Sequence, residues 1–269
     1  MTLVVIGPVT NDLICIGENN FRKTGGATYY QSFIFDEFYK DYLAIVNCSD
    51  AKIVNDFPDS DKVKVVLKDD THFFINNYPD MDNLDYREQL SNFAQIPIFP
   101  GDLEGFLPEK IDGFVINPLN RFDFPLETIE YLKSFNVPVF ISIQGFLRVP
   151  GTESNNSYSI KLDNYGMLTD ILSGVNAIFL DESEANIIGL DHDVDEMVIT
   201  DASKGSRVIC DEEVKIEAVK CDNIVDSTGC GDTYMASYIV KRLNNYSIKQ
   251  SGEFASLIAS KKLTKFGHY

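Results

Sequence analysis

The stretch DSTGCGDTYMASYI, residues 226–239, packs two glycines and two aspartates into seven residues and then turns abruptly apolar. After Asp232, the residues Met235, Tyr238, Ile239 and Leu243 recur at helical spacing. That spacing puts Asp232 in the first turn of an amphipathic helix. Gly229, Cys230 and Gly231 then form the loop that feeds the helix N-terminus. Backbone N–H groups there lack intrahelical partners and stand at the positive end of the helix dipole, so the loop suits a phosphate. A carboxylate beside such a cradle can take the proton of an attacking hydroxyl. The same residues also fit a plainer arrangement, in which the glycines make a turn and Asp232 complements the dipole. Taken alone, the stretch leaves both open.

The rest of the chain supplies the context. Leu3–Ile6, Tyr42–Val46, Phe114–Asn117, Val137–Ile143, Ala177–Leu180 and Met197–Thr200 read as strands, several apolar on both faces. Strands of that kind belong to a parallel sheet covered by helices on both sides. Phe124–Phe135, Leu168–Ser173 and Ser183–Ile188 fit the intervening helices, giving an α/β sandwich. The stretch KVKVVLKDDTHFFINNY (62–78) departs from this pattern and reads as a hairpin turning at Asp69-Asp70. With Leu13–Gly17 it is expected to form a small sheet beside the main one. Gly151–Tyr158 reads as a polar loop.

Composition narrows the function. Among 269 residues, 23 are Lys or Arg and 41 are Asp or Glu, a net charge of −18. Such a chain repels nucleic acid and anionic membranes, which excludes both as partners. An anionic substrate would need local positive charge or a metal to overcome that field. No apolar run is long enough to cross a bilayer, and MTLVVIGPVT reads as a buried strand rather than a signal peptide, so the cytoplasm is the expected location. Five scattered cysteines with no C-x-x-C pair argue for reduced thiols and against a zinc site. His72, His192 and His268 share no ligand spacing and are expected at the surface or in loops. The aromatic run Tyr29–Tyr42 reads as a helix packed on the sheet.

The segment Asp226-Ser227-Thr228-Gly229-Cys230-Gly231-Asp232 resembles the C-terminal signature of the PfkB/ribokinase family of small-molecule kinases, with Cys230 at the usual alanine. Four further segments resemble that family in the right order. TGGATYY (24–30) is similar to its Gly-Gly motif, and GPVTNDLI (7–14) to the end of its first strand. FLDESEANIIGL (179–190) is similar to its N-x-x-E segment, with Asp181 at the asparagine. VITDASKGSRVI (198–209) is similar to its T-x-G-x-x-G turn, with Ala202 at the first glycine.

The resemblance implies a ribokinase-like three-layer α/β/α sandwich with a mostly parallel central sheet and a small β lid. It covers one kinase domain over residues 1–269, with lid elements near 13–23 and 63–76. It implies ATP-dependent transfer of a phosphoryl group to a hydroxyl of a sugar, polyol or nucleoside. Asp232 becomes the base and the amides of Gly229, Cys230 and Gly231 the anion hole. Asp12, Gly25, Gly26 and Tyr30 fall to the acceptor; Tyr30 stands where ribokinases often carry an asparagine. Asp181, Glu184, Thr200, Gly205 and Asp226 fall to the nucleotide, with Mg²⁺ held through water by Glu184 and Asp181. A monovalent cation and a homodimer through the lid are further implications.

Gln144 and Arg148, in SIQGFLRVP (142–150), lie just past a strand's C-terminal end, where ligands sit in open α/β sheets. Arg148 is a candidate for acceptor or γ-phosphate contact, or equally a surface ion pair; Asn117 is a lesser candidate. The helix N-terminus is expected to lower the Cys230 thiol. A silent sugar- or nucleotide-binding protein on the same fold is the alternative, favoured by Tyr30, Asp181 and Ala202 and opposed by retention of Gly229, Gly231 and Asp232. A dinucleotide oxidoreductase is disfavoured because Gly7-Pro8-Val9-Thr10 replaces the G-x-G-x-x-G expected after the first strand.

Overall fold

A computed structural model describes residues 1–17, 19–78 and 88–269. In chain order the N-terminal strands are β1 (Thr2–Ile6), β2 (Thr10–Ile16), β3 (Asn19–Gly25), β4 (Tyr42–Cys48), β5 (Val63–Leu67), β6 (Phe74–Tyr78), β7 (Glu88–Ser91) and β8 (Ile111–Ile116). They are followed by β9 (Val139–Ser142), β10 (Arg148–Ser154), β11 (Ser157–Leu162), β12 (Val175–Asp181), β13 (Val194–Thr200), β14 (Ser206–Ile209) and β15 (Glu213–Ile216). The helices are α1 (Ala27–Phe38), α2 (Pro100–Leu103), α3 (Leu126–Lys133), α4 (Gln144–Leu147), α5 (Leu168–Leu172), α6 (Glu182–Ile188), α7 (Cys230–Leu243) and α8 (Ile248–Leu263).

Among the described residues the strands make two sheets. The larger has nine strands in the order β15-β14-β13-β12-β9-β8-β1-β4-β5. Neighbours from β13 to β5 run parallel, while β14 and β15 close one edge antiparallel. Its apolar strands are buried on both faces because successive side chains point to opposite sides. In β1, Leu3 and Val5 join the core beneath α1, α7 and α8, whereas Val4 and Ile6 join the core beneath α3, α5 and α6. All six strands and three helices expected from the sequence are present. The aromatic run also packs as expected: Tyr29, Tyr30, Ile34 and Phe35 of α1 are buried against the sheet.

The smaller sheet has six strands in the order β10-β11-β7-β6-β2-β3. Two expectations fail here. Residues 62–78 are not a hairpin: β5 pairs parallel with β4 in the large sheet, and only β6 enters the small sheet, parallel to β2. The second lid segment, 63–76, is therefore divided between the two sheets. The first, 13–23, does lie in β2 and β3, although Glu18 is outside the described residues. Gly151–Tyr158 is not a loop but most of an antiparallel hairpin, β10–β11. It turns on Asn155 and Asn156, both with positive φ (49° and 60°), as a two-residue primed turn requires.

Candidate active site

The opening stretch folds as its spacing dictates. Gly229 caps α7 with φ 78° and ψ 6°, a left-handed conformation that an L-residue adopts only with strain. Cys230 and Gly231 are the first residues of the helix, and Asp232 lies in its first turn. A Cβ on Gly229 would also stand 2.6 Å from the Tyr30 ring, so the ring packs directly against the cradle.

Tyr30 reaches that position from the other glycine corner. Gly26, with φ 95°, follows β3 and is the N-cap of α1, and a side chain there would run into the Pro8 carbonyl. Gly25 lies against the side chains of Asp12 and Thr10. Asp12, buried on β2, accepts the Phe74 N–H at 3.2 Å. The Tyr30 hydroxyl is buried with no hydrogen-bond partner. Burial first, and then the charges of Asp12, Asp226 and Asp232, push its pKa up. Asp12, Tyr30, Asp226, Asp232 and the Gly229 turn are thus brought together, although Asp12 and Asp232 are 220 residues apart in sequence, from subtracting 12 from 232.

Asp226 is an anchor for the loop. Its Oδ1 accepts from Thr228 N–H (2.9 Å) and its Oδ2 from Gly267 N–H (3.0 Å). Lys23 of β3 lies 3.7 Å from Oδ2, and Lys262 of α8 lies 3.4 Å from the same oxygen. These bonds and cations hold the Asp226 carboxyl below the usual carboxylate range against the opposing effect of burial. Neither lysine was indicated by the sequence, since a lysine in a polar strand or at the end of a helix carries no signal of its partner.

A second group gathers at the C-terminal ends of β9 and β12. Asp181 and Glu184 cap α6 reciprocally: Asp181 Oδ1 accepts from Glu184 N–H and Glu184 Oε2 from Asp181 N–H, both at 2.9 Å. Glu184 is buried, and burial followed by the Asp181 charge pushes its carboxyl up to about 7, opposed in part by Arg148 and Gln144. Arg148 is buried and lies 5.1 Å from the centre of the Phe74 ring, so it is no surface ion pair. Phe74 therefore joins the two groups, through its N–H to Asp12 and its ring to Arg148. Thr200 lies beside Asp181 in the β12–β13 register. Gly205 closes the turn before β14, donating to the Ala202 carbonyl.

Three local expectations are corrected. Burial pushes the Cys230 thiol up to about 12, overriding the helix N-terminus. His72 is buried, 1% exposed, with Nε2 3.0 Å from Asp123 Oδ1; a packed interior pair, not a surface or loop position, accounts for it. Asn117 is satisfied inside the core by Gln31, whose amide it meets at 2.9 and 2.8 Å. A cleft of about 670 Å³, lined by Asn11, Arg22, Thr24, Lys52, Asp56 and Phe73 among others, includes none of the expected site residues. Asn11 and Thr24 oppose each other in the β2–β3 register, as do Asp12 and Lys23, and Lys23 also lines the cleft, so its side chain borders both the cleft and the Asp226 carboxyl.

Residues 162–269 match the pfkB family carbohydrate kinase profile. A nucleoside kinase from Methanocaldococcus jannaschii is 28% identical over 104 residues, 35% of this chain and 34% of that protein. The match thus spans about a third of that relative's length. Over the whole fold, a pyrophosphate-dependent kinase of the ribokinase family, complexed with a pyrophosphate analog and myo-inositol, superposes with a TM-score of 0.81. It is 21% identical and the match covers 99% of this chain and 96% of that one. Arabidopsis thaliana ribokinase complexed with ribose and ATP gives 0.72 at 16% identity, covering 99% and 93%. The C-terminal signature thus lies in a segment that matches the pfkB family carbohydrate kinase profile, and the chain as a whole has the fold of these ribokinase-family structures.

Proposed function

We propose that the chain is a phosphotransferase that moves the terminal phosphoryl group of ATP onto a hydroxyl of a small polyol, sugar or nucleoside. The observation that carries this reading is the junction of Gly229 and α7, a left-handed glycine opening a helix with Asp232 in its first turn. Asp232 takes the proton of the attacking hydroxyl. The N–H groups of Gly229, Cys230 and Gly231 stabilise charge on the group in flight, by fixed dipoles rather than covalent bonds. A phosphate cradle alone would not need the base, which favours catalysis over silent binding.

The acceptor lies between Asp12, the Gly25-Gly26 corner and Tyr30, with Gln144 and Arg148 at the rim. The Tyr30 hydroxyl, buried without a partner, is a donor waiting for a ligand oxygen. The face of β2–β3 that bears Asp12 and Lys23 covers this space and acts as a lid. Val219, Ile224 and Val225 are exposed apolar residues leading into the cradle, a surface suited to a nucleobase and therefore to ATP.

Among the described residues no group of three His, Cys, Asp or Glu could hold a metal by itself. Mg²⁺ does not require one, because it keeps several waters and takes one or two carboxylates together with donor phosphates. Exposed Asp181, with Oδ2 outside the capping box, and buried Glu184 fit that role. The ion would neutralise charge on the donor phosphates.

The test is a transfer screen of inositols, pentoses, hexoses and nucleosides against ATP and pyrophosphate. Product with at least one acceptor, dependent on ATP, is expected. Binding of these ligands with no transfer from either donor would leave the silent reading in its place, and transfer from pyrophosphate alone would overturn ATP as donor.

A further inference from the structure

Lys262 is fully buried at the end of α8, where a lysine normally keeps its ammonium in water. Its Nζ donates to the backbone carbonyl of Asp226 at 2.8 Å and lies 3.4 Å from Oδ2 of the same residue. Lys23 approaches Oδ2 from the small sheet at 3.7 Å. The Lys262 charge also acts on the Cys230 thiol, which it pulls down against burial, so the ammonium stands close behind the cradle. Two cations from distant parts of the chain thus converge on the residue that begins the cradle loop. They supply positive charge where a chain of net −18 needs it to receive an anionic donor.

A monovalent metal ion at this place would need several oxygen ligands. The carbonyl and Oδ2 of Asp226 are already engaged by ammonium nitrogens, and Oδ1 by the Thr228 N–H. The monovalent cation implied by the family resemblance therefore does not fit beside Asp226. We propose that Lys262 is a built-in cation, a positioning residue that fixes the 226–229 loop and supplies positive charge behind the cradle, so that the protein needs no exchangeable K⁺ or Na⁺. This rests on reading Gly229–Gly231 as the donor-phosphate cradle.

The experiment compares chlorides of K⁺, Na⁺ and choline at equal ionic strength. Wild-type melting curves are expected to coincide in the three salts, with or without ATP or pyrophosphate. Lys262→Met keeps the apolar stem and removes the charge. It is expected to weaken donor binding, read by calorimetry, by about 10- to 100-fold, the range for losing a charge-assisted hydrogen bond, while acceptor binding is unchanged. Lys262→Ala leaves room for an ion and is expected to gain melting temperature in K⁺ over choline. A K⁺-specific rise in the wild-type melting temperature would overturn the proposal, as would folded Lys262→Met with wild-type donor affinity in choline. If Lys262→Ala does not fold, the other two arms decide. The wild-type melting arm requires no turnover, so a protein with no transferase activity would refute the proposed function while the salt dependence of melting still tests the role of Lys262.

Discussion

Glu184 and Gly229 each carry a local cost that the rest of the site must offset. The Glu184 carboxyl, pushed up to about 7 by burial and then by Asp181, still holds a proton that the unfolded chain has already released. Its share of stability is complete below about pH 4, the ordinary glutamate range, and is lost as pH rises through 7. Melting temperature should therefore fall between pH 5 and 8 in wild type relative to Glu184→Gln; parallel pH profiles would contradict this. Gly229→Ala forces a side chain into a left-handed turn and into the Tyr30 ring. It is expected to cost about 1–3 kcal/mol of stability and most of the transfer activity, read from chemical denaturation and initial rates. The sequence made Gly229 and Asp232 legible because their chemistry is written in adjacent residues. It could not reveal Lys262, whose partner is 36 positions away, or the neutral Cys230 thiol, whose state depends on what α8 packs over it.

At the scale of elements, α7 must be held still for its N-terminus to act as a fixed dipole. Glu196 on β13 does this by accepting from Tyr238 Oη at 2.7 Å and from Arg242 Nε at 2.9 Å. Glu196→Ala strands both partners and is expected to cost about 1.5–3 kcal/mol, visible as a drop of several degrees in melting temperature. An unchanged melting temperature would remove Glu196 as an anchor. The large-sheet strands were legible because burial on both faces leaves continuous apolar runs. The small sheet was less so. Alternation in 62–78 identifies two strands but not their partners, and pairing β5 with β4 and β6 with β2 is decided far from either strand. The β10–β11 hairpin hides because its strands are largely exposed and polar, and only the Asn155-Asn156 pair marked its turn.

For the molecule as a whole, the two sheets meet where the acceptor is proposed to bind. Strands β2 and β3 carry Asp12 and Lys23 toward the cradle, and His72, paired with Asp123, ties the approach to β6 to the loop after β8. If the small sheet closes over the acceptor, amide hydrogen exchange in β2, β3 and β6 should slow when an acceptor is added, while exchange in β8 and β9 stays as it was. Equal exchange with and without a bound acceptor would mean that the sheet is not a lid. The central claim is that Asp232, at the mouth of α7, is the base of a phosphoryl transfer. Its most direct measurement is kcat for Asp232→Asn beside wild type, on the acceptor found by the screen. The account predicts a fall of about 10²- to 10⁴-fold with the acceptor KM little changed, and a variant turning over at near the wild-type rate would contradict it.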